Sequence, residues 1–142
     1  MTSFTVSSDA DLSVTWQFRR TWKDCTSLTS FPSLPAYSTT SADFASAWNG
    51  CSSLKDFPAG FFDSVTSWTA ADAMTGAFDG CALSAESIQN ILVSLDAVTA
   101  PFLANTLDVD NGTNASYSTW STTAVAALTS LQGKGWTINY NP

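Results

Sequence analysis

The 142-residue sequence contains no histidine. That removes the usual general base, the usual activator of a nucleophile and the commonest metal ligand. An enzyme made from such a chain needs paired carboxylates, a perturbed lysine or an activated serine or threonine instead. Charge is also scarce, at 12% of residues, about half the usual share. There are five Lys and Arg, of which Arg19, Arg20 and Lys23 crowd together. No basic stripe exists to neutralise phosphates, which counts against a nucleic-acid partner. No stretch of about 18 apolar residues and no charged, apolar, small-residue leader occurs, so no membrane partner is expected. The chain opens M-T-S-F-T-V and is expected to be whole and made in a cytoplasm, without leader-directed export. Three cysteines is an odd number, and their spacing fits no zinc pattern. Neither a metal nor any other cofactor is expected.

What the chain has is hydroxyls and aromatics. Ser and Thr fill 40 of its positions, so the exterior is expected to be mostly hydroxyls and amides. A net charge of −7 serves solubility. Nine Phe and six Trp supply a core for one domain, long enough to bury roughly 70% of the surface its unfolded form exposes.

The aromatics fall in a unit written three times. It reads F-R-R-T-W-K-D-C-T-S-L-T-S-F-P at 18–32, F-A-S-A-W-N-G-C-S-S-L-K-D-F-P at 44–58 and, in part, M-T-G-A-F-D-G-C-A-L-S at 74–84. Aligning Cys25, Cys51 and Cys81 aligns Phe18 with Phe44 and Met74, and Trp22 with Trp48 and Phe78. Leu28 and Phe31 match Leu54 and Phe57. Repeats of this length mean stacked supersecondary units, each needing a neighbour to cover its apolar face. These positions are therefore expected to form ladders of one core, the thiols among them. Within a copy, residues at i, i+4 and i+7 (Phe18, Trp22 and Cys25, for example) share a face if the segment is helical. Gly50 and Gly80 read as left-handed stops, with Asp24 taking that place in the first copy. The S/T-S-L-x-x-F-P segment reads as extended and closed by Pro32 or Pro58. Its Leu and Phe, three apart, require either a bend or packing of one of them on a neighbouring loop.

Residues 1–17 alternate in places, as at Phe4 and Val6 and at Leu12, Val14 and Trp16, and predict an N-terminal strand or hairpin over the first copy. The repeats span 18–98. Their last part, S-A-E-S-I-Q-N-I-L-V-S-L, predicts a helix capped by Ser84 with an apolar stripe of Ile88, Ile91, Leu92 and Leu95. Residues 99–142 break at Pro101. They then predict a strand at Leu107 and Val109, a helix through Ala124, Val125, Leu128 and Leu131 stopped by Gly133 and Gly135, and a strand at Trp136, Ile138 and Tyr140. This βαβ unit implies a parallel pair. The expected fold is thus α/β, a short leucine-rich-repeat-like solenoid of about three repeats with a C-terminal βαβ cap, all one domain over 1–142.

Candidate sites are few. Asp9 with Asp11 and Asp108 with Asp110 are close acid pairs. The second lies beside Asn111, Gly112 and Asn114, where oxygen ligands for calcium are conceivable, against a plain reading as solvated strand-end acids. Lys23 lies two residues from Cys25 and could lower its pKa, but no base accompanies it. Trp16, Tyr37, Trp68, Tyr117 and Trp120 lie outside the repeat positions. They are candidates for display at a protein interface or a sugar platform, or for local packing. Phe61 and Phe62, in F-P-A-G-F-F, exceed what one unit requires and are candidates for meeting a neighbouring subunit. The sequons at Asn111 and Asn114 matter only in a glycosylating cell.

At W-K-D-C-T-S-L-T-S-F-P and A-W-N-G-C-S-S-L-K-D-F-P the chain resembles the BspA-like leucine-rich-repeat-related family, which repeats a W-x-x-C-S-S-L-x-x-F-P unit. Through A-F-D-G-C-A-L-S-A-E-S-I-Q-N-I-L-V-S-L and L-T-S-L-Q-G-K-G-W-T-I-N it resembles the terminal part of repeat proteins of tailed bacteriophages. The resemblance covers about residues 18–138. It implies a short α/β solenoid and, for phage members, structural or receptor-facing virion components. The expectation is a non-enzymatic virion protein, a capsid decoration, fibre or tail-associated subunit, acting as a rigid scaffold. Its expected partners are other virion proteins, copies of itself or a host surface glycan. The alternative is a carbohydrate-binding adhesion module with Trp68 and Trp120 as stacking platforms.

Overall fold

Phe18, Trp22 and Cys25 come together without a helix. The computed structural model describes residues 16–33, 42–66, 68, 70–98 and 104–142, and in it residues 19–24, 45–50 and 71–80 are strings of turns. Alternate N–H groups bond three residues back on their own chain. Thr21 donates to the Phe18 carbonyl at 3.1 Å, Cys25 to Trp22 at 3.1 Å, Ala47 to Phe44 at 2.9 Å and Cys51 to Trp48 at 3.0 Å. The N–H groups between them leave the segment. Phe18, Arg20, Trp22 and Asp24 donate to the carbonyls of Asp43, Ala45, Ala47 and Asn49 at 2.8 to 3.1 Å. Phe44, Ser46, Trp48 and Gly50 donate in turn to Ala73, Thr75, Ala77 and Asp79 at 2.7 to 3.0 Å. A helix commits its N–H groups to its own carbonyls four residues back and keeps none for a neighbour. Here the period of four comes from successive turns whose third residue is left-handed. Those residues are Arg20 and Asp24 (φ 61° and 58°), Ser46 and Gly50 (55° and 73°), and Gly76 and Gly80 (66° and 72°).

The expected leucine-rich-repeat-like solenoid is therefore not what the chain forms. Through the Cys of each copy there are turns where a helix was expected, and regular elements are few. Strand β1 (Trp16–Gln17) pairs in parallel with β2 (Ala42–Asp43). Helix α1 (Ala85–Ala97), strand β3 (Thr106–Val109), helix α2 (Thr122–Gly133) and strand β4 (Thr137–Tyr140) follow. β3 and β4 pair in parallel from Thr106 opposite Thr137 to Val109 opposite Tyr140, with α2 between them in sequence. Among the described residues the architecture is two helices with two separate two-stranded parallel sheets, open and not wound into repeating supersecondary units. The N-terminal strand expected through Phe4, Val6, Leu12 and Val14, the Asp9 and Asp11 pair, and the break at Pro101 lie outside the described residues.

The bonds between segments bring like side chains together. Trp48 stacks on Trp22 at 5.3 Å and 10°, and on Phe78 at 4.7 Å and 1°. Phe18 stacks on Phe44 at 5.4 Å, and Phe31 on Phe57 at 5.4 Å. Leu28, Leu54, Cys51, Met74 and Cys81 are buried with them, while Cys25 is half-buried. Leu54 and Phe57 are both buried.

Helix α1 starts where Ser84 accepts from the Ser87 N–H, and it buries Ile88, Ile91, Leu92 and Leu95. Its polar residues dock it onto the chain at 55–63. Ser87 Oγ accepts from the Phe57 N–H and donates to the Lys55 carbonyl, both at 2.8 Å. Asn90 Nδ2 donates to the Phe57 carbonyl at 2.9 Å. Ser94 Oγ accepts from the Phe62 N–H at 2.7 Å and donates to Asp63 at 2.6 Å. Ser121 caps α2. Lys134 Nζ, at the far end of α2, reaches Asp96 near the end of α1, donating to its carbonyl at 2.6 Å and its carboxylate at 2.7 Å.

The turn string and a helix give opposite signs for one substitution. A non-glycine residue in the left-handed region costs roughly 1–2 kcal/mol, part of which glycine offsets with its own backbone entropy. Arg20→Gly is expected to leave the chain as stable or to stabilise it by up to about 1 kcal/mol, as read from urea unfolding. In a helix the same change costs about 1 kcal/mol.

Candidate functional site

Most of the side chains expected on the surface are inside. Phe62 is 0% exposed, Phe61 3%, Trp68 5% and Trp120 8%. Phe61 packs edge-on against Phe57 at 5.0 Å, and Phe62 against Phe44 at 5.4 Å. Trp68 meets Trp136 edge-on at 5.9 Å. These four are core, not interface or platform. Trp16 lies on β1 opposite Ala42, and Tyr37 lies outside the described residues. Tyr117 keeps substantial exposure, 38%.

Tyr117 belongs to a cluster that patterning did not single out. It begins a 3-10 turn, Tyr117–Thr119, and its N–H donates to the Asn141 carbonyl at 2.9 Å, which fixes the turn against the end of β4. Its ring stacks on Tyr140 at 5.2 Å and 27°. Trp120 lies against both, at 5.5 Å from Tyr117 and 5.2 Å from Tyr140. The Trp120 N–H is used internally, on the Ala115 carbonyl at 3.1 Å. The sequence signal for Tyr140 was its place on the last strand, which read as core alternation.

The acid pair has other duties. Asp108 accepts from the Gly76 N–H and from Asn139 Nδ2, both at 2.5 Å. Asp79 accepts from Asn49 at 3.1 Å and Asn111 at 2.7 Å. Asn114, the other proposed oxygen ligand, is turned inward. It accepts from the Leu83 N–H at 2.8 Å and donates to the Phe78 carbonyl at 3.0 Å. Among the described residues no three acids or cysteines are grouped to hold a metal ion. One oxygen of Asp110 is enclosed without a hydrogen-bond partner among the described residues. Burial, then the nearby charges of Asp108 and Asp79, raises its pKa.

The thiols are likewise structural. Cys51 Sγ donates to the Trp22 carbonyl at 3.0 Å and Cys81 Sγ to the Trp48 carbonyl at 3.1 Å. Burial pushes Cys51 up to about 11 and Cys81 further up. A thiolate is the nucleophile, so neither is primed to attack.

No helix of the described residues is long and apolar enough to cross a membrane. No model of a protein family, no characterised protein and no solved structure matches the chain.

Two outcomes follow from these environments. A thiol whose pKa is higher folded than unfolded stabilises the fold below the unfolded value, and that contribution is lost as pH rises toward the folded one. Stability is therefore expected to fall as pH rises from the ordinary thiol range through about 11. At pH 8 a disulfide reagent should label Cys25 in the native chain, and Cys51 and Cys81 only after denaturant is added. The raised Asp110 carboxyl has the same sign, since its ionisation costs more in the folded chain than in the unfolded one. Asp110→Asn is expected to raise the melting temperature at pH 7. The gain should vanish as pH falls below the ordinary carboxylate range.

Proposed function

We propose that this chain is a non-catalytic bacteriophage virion protein, a capsid decoration, fibre or tail-associated subunit. In this role it presents a rigid surface to other virion proteins and to copies of itself. The observation that carries the reading is where its chemically able groups are spent. Two of the three thiols donate to backbone carbonyls. Asp43, Asp79 and Asp108 accept from backbone N–H groups, amides or Arg19. These groups hold segments in register, which is what a scaffold asks of them and not what a catalytic centre asks.

The virion assignment is supported by the likeness of A-F-D-G-C-A-L-S-A-E-S-I-Q-N-I-L-V-S-L and L-T-S-L-Q-G-K-G-W-T-I-N to the terminal part of tailed-phage repeat proteins, apart from the solenoid that likeness implied. A protein contact stable without other support needs about 1,000 Å² or more, and an exterior of hydroxyls and amides suits the wet, polar rim of such contacts. The adhesion-module reading loses the platforms first assigned to it, because Trp68 and Trp120 are buried.

Mass spectrometry of purified particles of the phage that encodes the chain is expected to find it at a fixed ratio to the major shell protein. Its presence in infected cells and absence from the particles would overturn the assignment.

A further inference from the structure

The surface around Tyr117 has three properties that act together. Its rings form a fixed, partly exposed platform, with Tyr117 and Tyr140 stacked on each other and both backed by the buried Trp120. The turn that carries Tyr117 is pinned to β4 by the bond to Asn141, and Asn141 Nδ2 donates in turn to the Asn114 carbonyl at 2.9 Å. The platform is thus ordered before any ligand arrives, which lowers the entropic cost of binding.

The second property is the absence of a basic side chain. From Asn111 to Gly133, and again from Gly135 to Pro142, the sequence has no acidic or basic side chain. The third is the rim. Ser116 and Ser118 share a hydrogen bond at 2.8 Å in the open, and Thr119 is exposed beside them. An aromatic face rimmed by hydroxyls, in segments without a basic group, matches a neutral sugar ring. The C–H face of a pyranose lies on the aromatic ring, and its hydroxyls bond to the rim. An anionic polymer would find no cation there, and a nucleic acid would find none for its phosphates.

We propose that Tyr117 and Tyr140, with Ser116 and Ser118 at the rim, form a binding site for neutral hexopyranose oligosaccharides. The site does not depend on the assembly role. A chain found in particles yet silent toward sugars would keep that role and lose this site.

The purified chain is titrated with maltohexaose, cellohexaose and mannohexaose, and with dextran sulfate as the anionic probe, following Trp fluorescence and calorimetric heat. Saturable binding to at least one neutral oligosaccharide is expected, weakened at least about tenfold, or about 1.4 kcal/mol, in Tyr117→Ala and in Tyr140→Ala. Tyr117→Phe should retain binding, because the ring face carries it, and Val93→Ala, on the exposed face of α1, should leave it unchanged. Tyr117 is exposed, so its variants are expected to melt near the parent temperature, which thermal unfolding checks. Silence across the neutral panel overturns the site. So does binding indifferent to Tyr117→Ala, or a preference for dextran sulfate that fades with salt. Self-association abolished by Tyr117→Ala without any sugar binding also overturns it, because the platform would then be a protein contact.

Discussion

The structure depends on hydrogen bonds passed from one segment to the next. In each of the first two copies every second N–H is given to a carbonyl about 25 to 29 residues further on, and the direction of donation does not change. Regular strand is almost absent where this happens, so the ladder is carried by turns. That constraint sets the side chains. If alternate residues bond outward and the chain turns every four residues, a ring at the start of each turn arrives above the ring of the next copy. Trp22, Trp48 and Phe78 stack within 5.3 Å for this reason. Stacking is favoured strongly enough to tolerate a cost. The Trp48 indole N–H is buried without an acceptor among the described residues, a loss of about 1–3 kcal/mol that burial of a ring this size can offset.

The third copy shows what happens when the register ends. Its outward N–H groups face β3, which is extended and advances further per residue than a string of turns. Only part of the alignment survives. Phe78 and Gly80 still find backbone carbonyls, those of Asp108 and Asp110, at 3.2 Å. Met74 and Gly76 are met by side-chain oxygens instead, from Asn105 at 2.8 Å and Asp108 at 2.5 Å. Buried Asn105 and Asn114 are therefore joints between two kinds of backbone. Gly112 serves the same joint by close approach, since a Cβ there would lie 2.9 Å from the Gly80 Cα at a φ of 56°.

Much of this was legible in the sequence, and the part that was not has one physical origin. The apolar ladders, the left-handed Gly50 and Gly80, the Ser84 cap with its helix, and the final strand, helix and strand could all be read, because each rests on a local preference. The helix inside each copy could not be read correctly, because i and i+4 share a face both in a helix and in successive turns. Residues that favour left-handed backbone at intervals of four separate the two cases. Gly76 and Gly80 in M-T-G-A-F-D-G-C display that interval, but Arg20 and Ser46 hide it in the other copies. Without that distinction the units read as supersecondary repeats, and the solenoid followed. The surface was misread for a related reason. Trp68 and Trp120 lie outside the repeat positions, and falling outside a pattern says nothing about burial.

The same economy separates the interior from the aromatic surface at Tyr117. Where segments stack, a ring has a neighbour above and below, and the acids, amides and thiols nearby are consumed in fixing the register. On β4, Tyr140 stacks on Tyr117, brought back by the Ser116 to Trp120 turn and held by Asn141. Tyrosine suits that place better than Trp or Phe, because a ring half in water gains from a hydroxyl that needs no protein partner. A surface closed by tyrosines and already ordered remains open to a ligand that offers an apolar face and hydroxyls of its own.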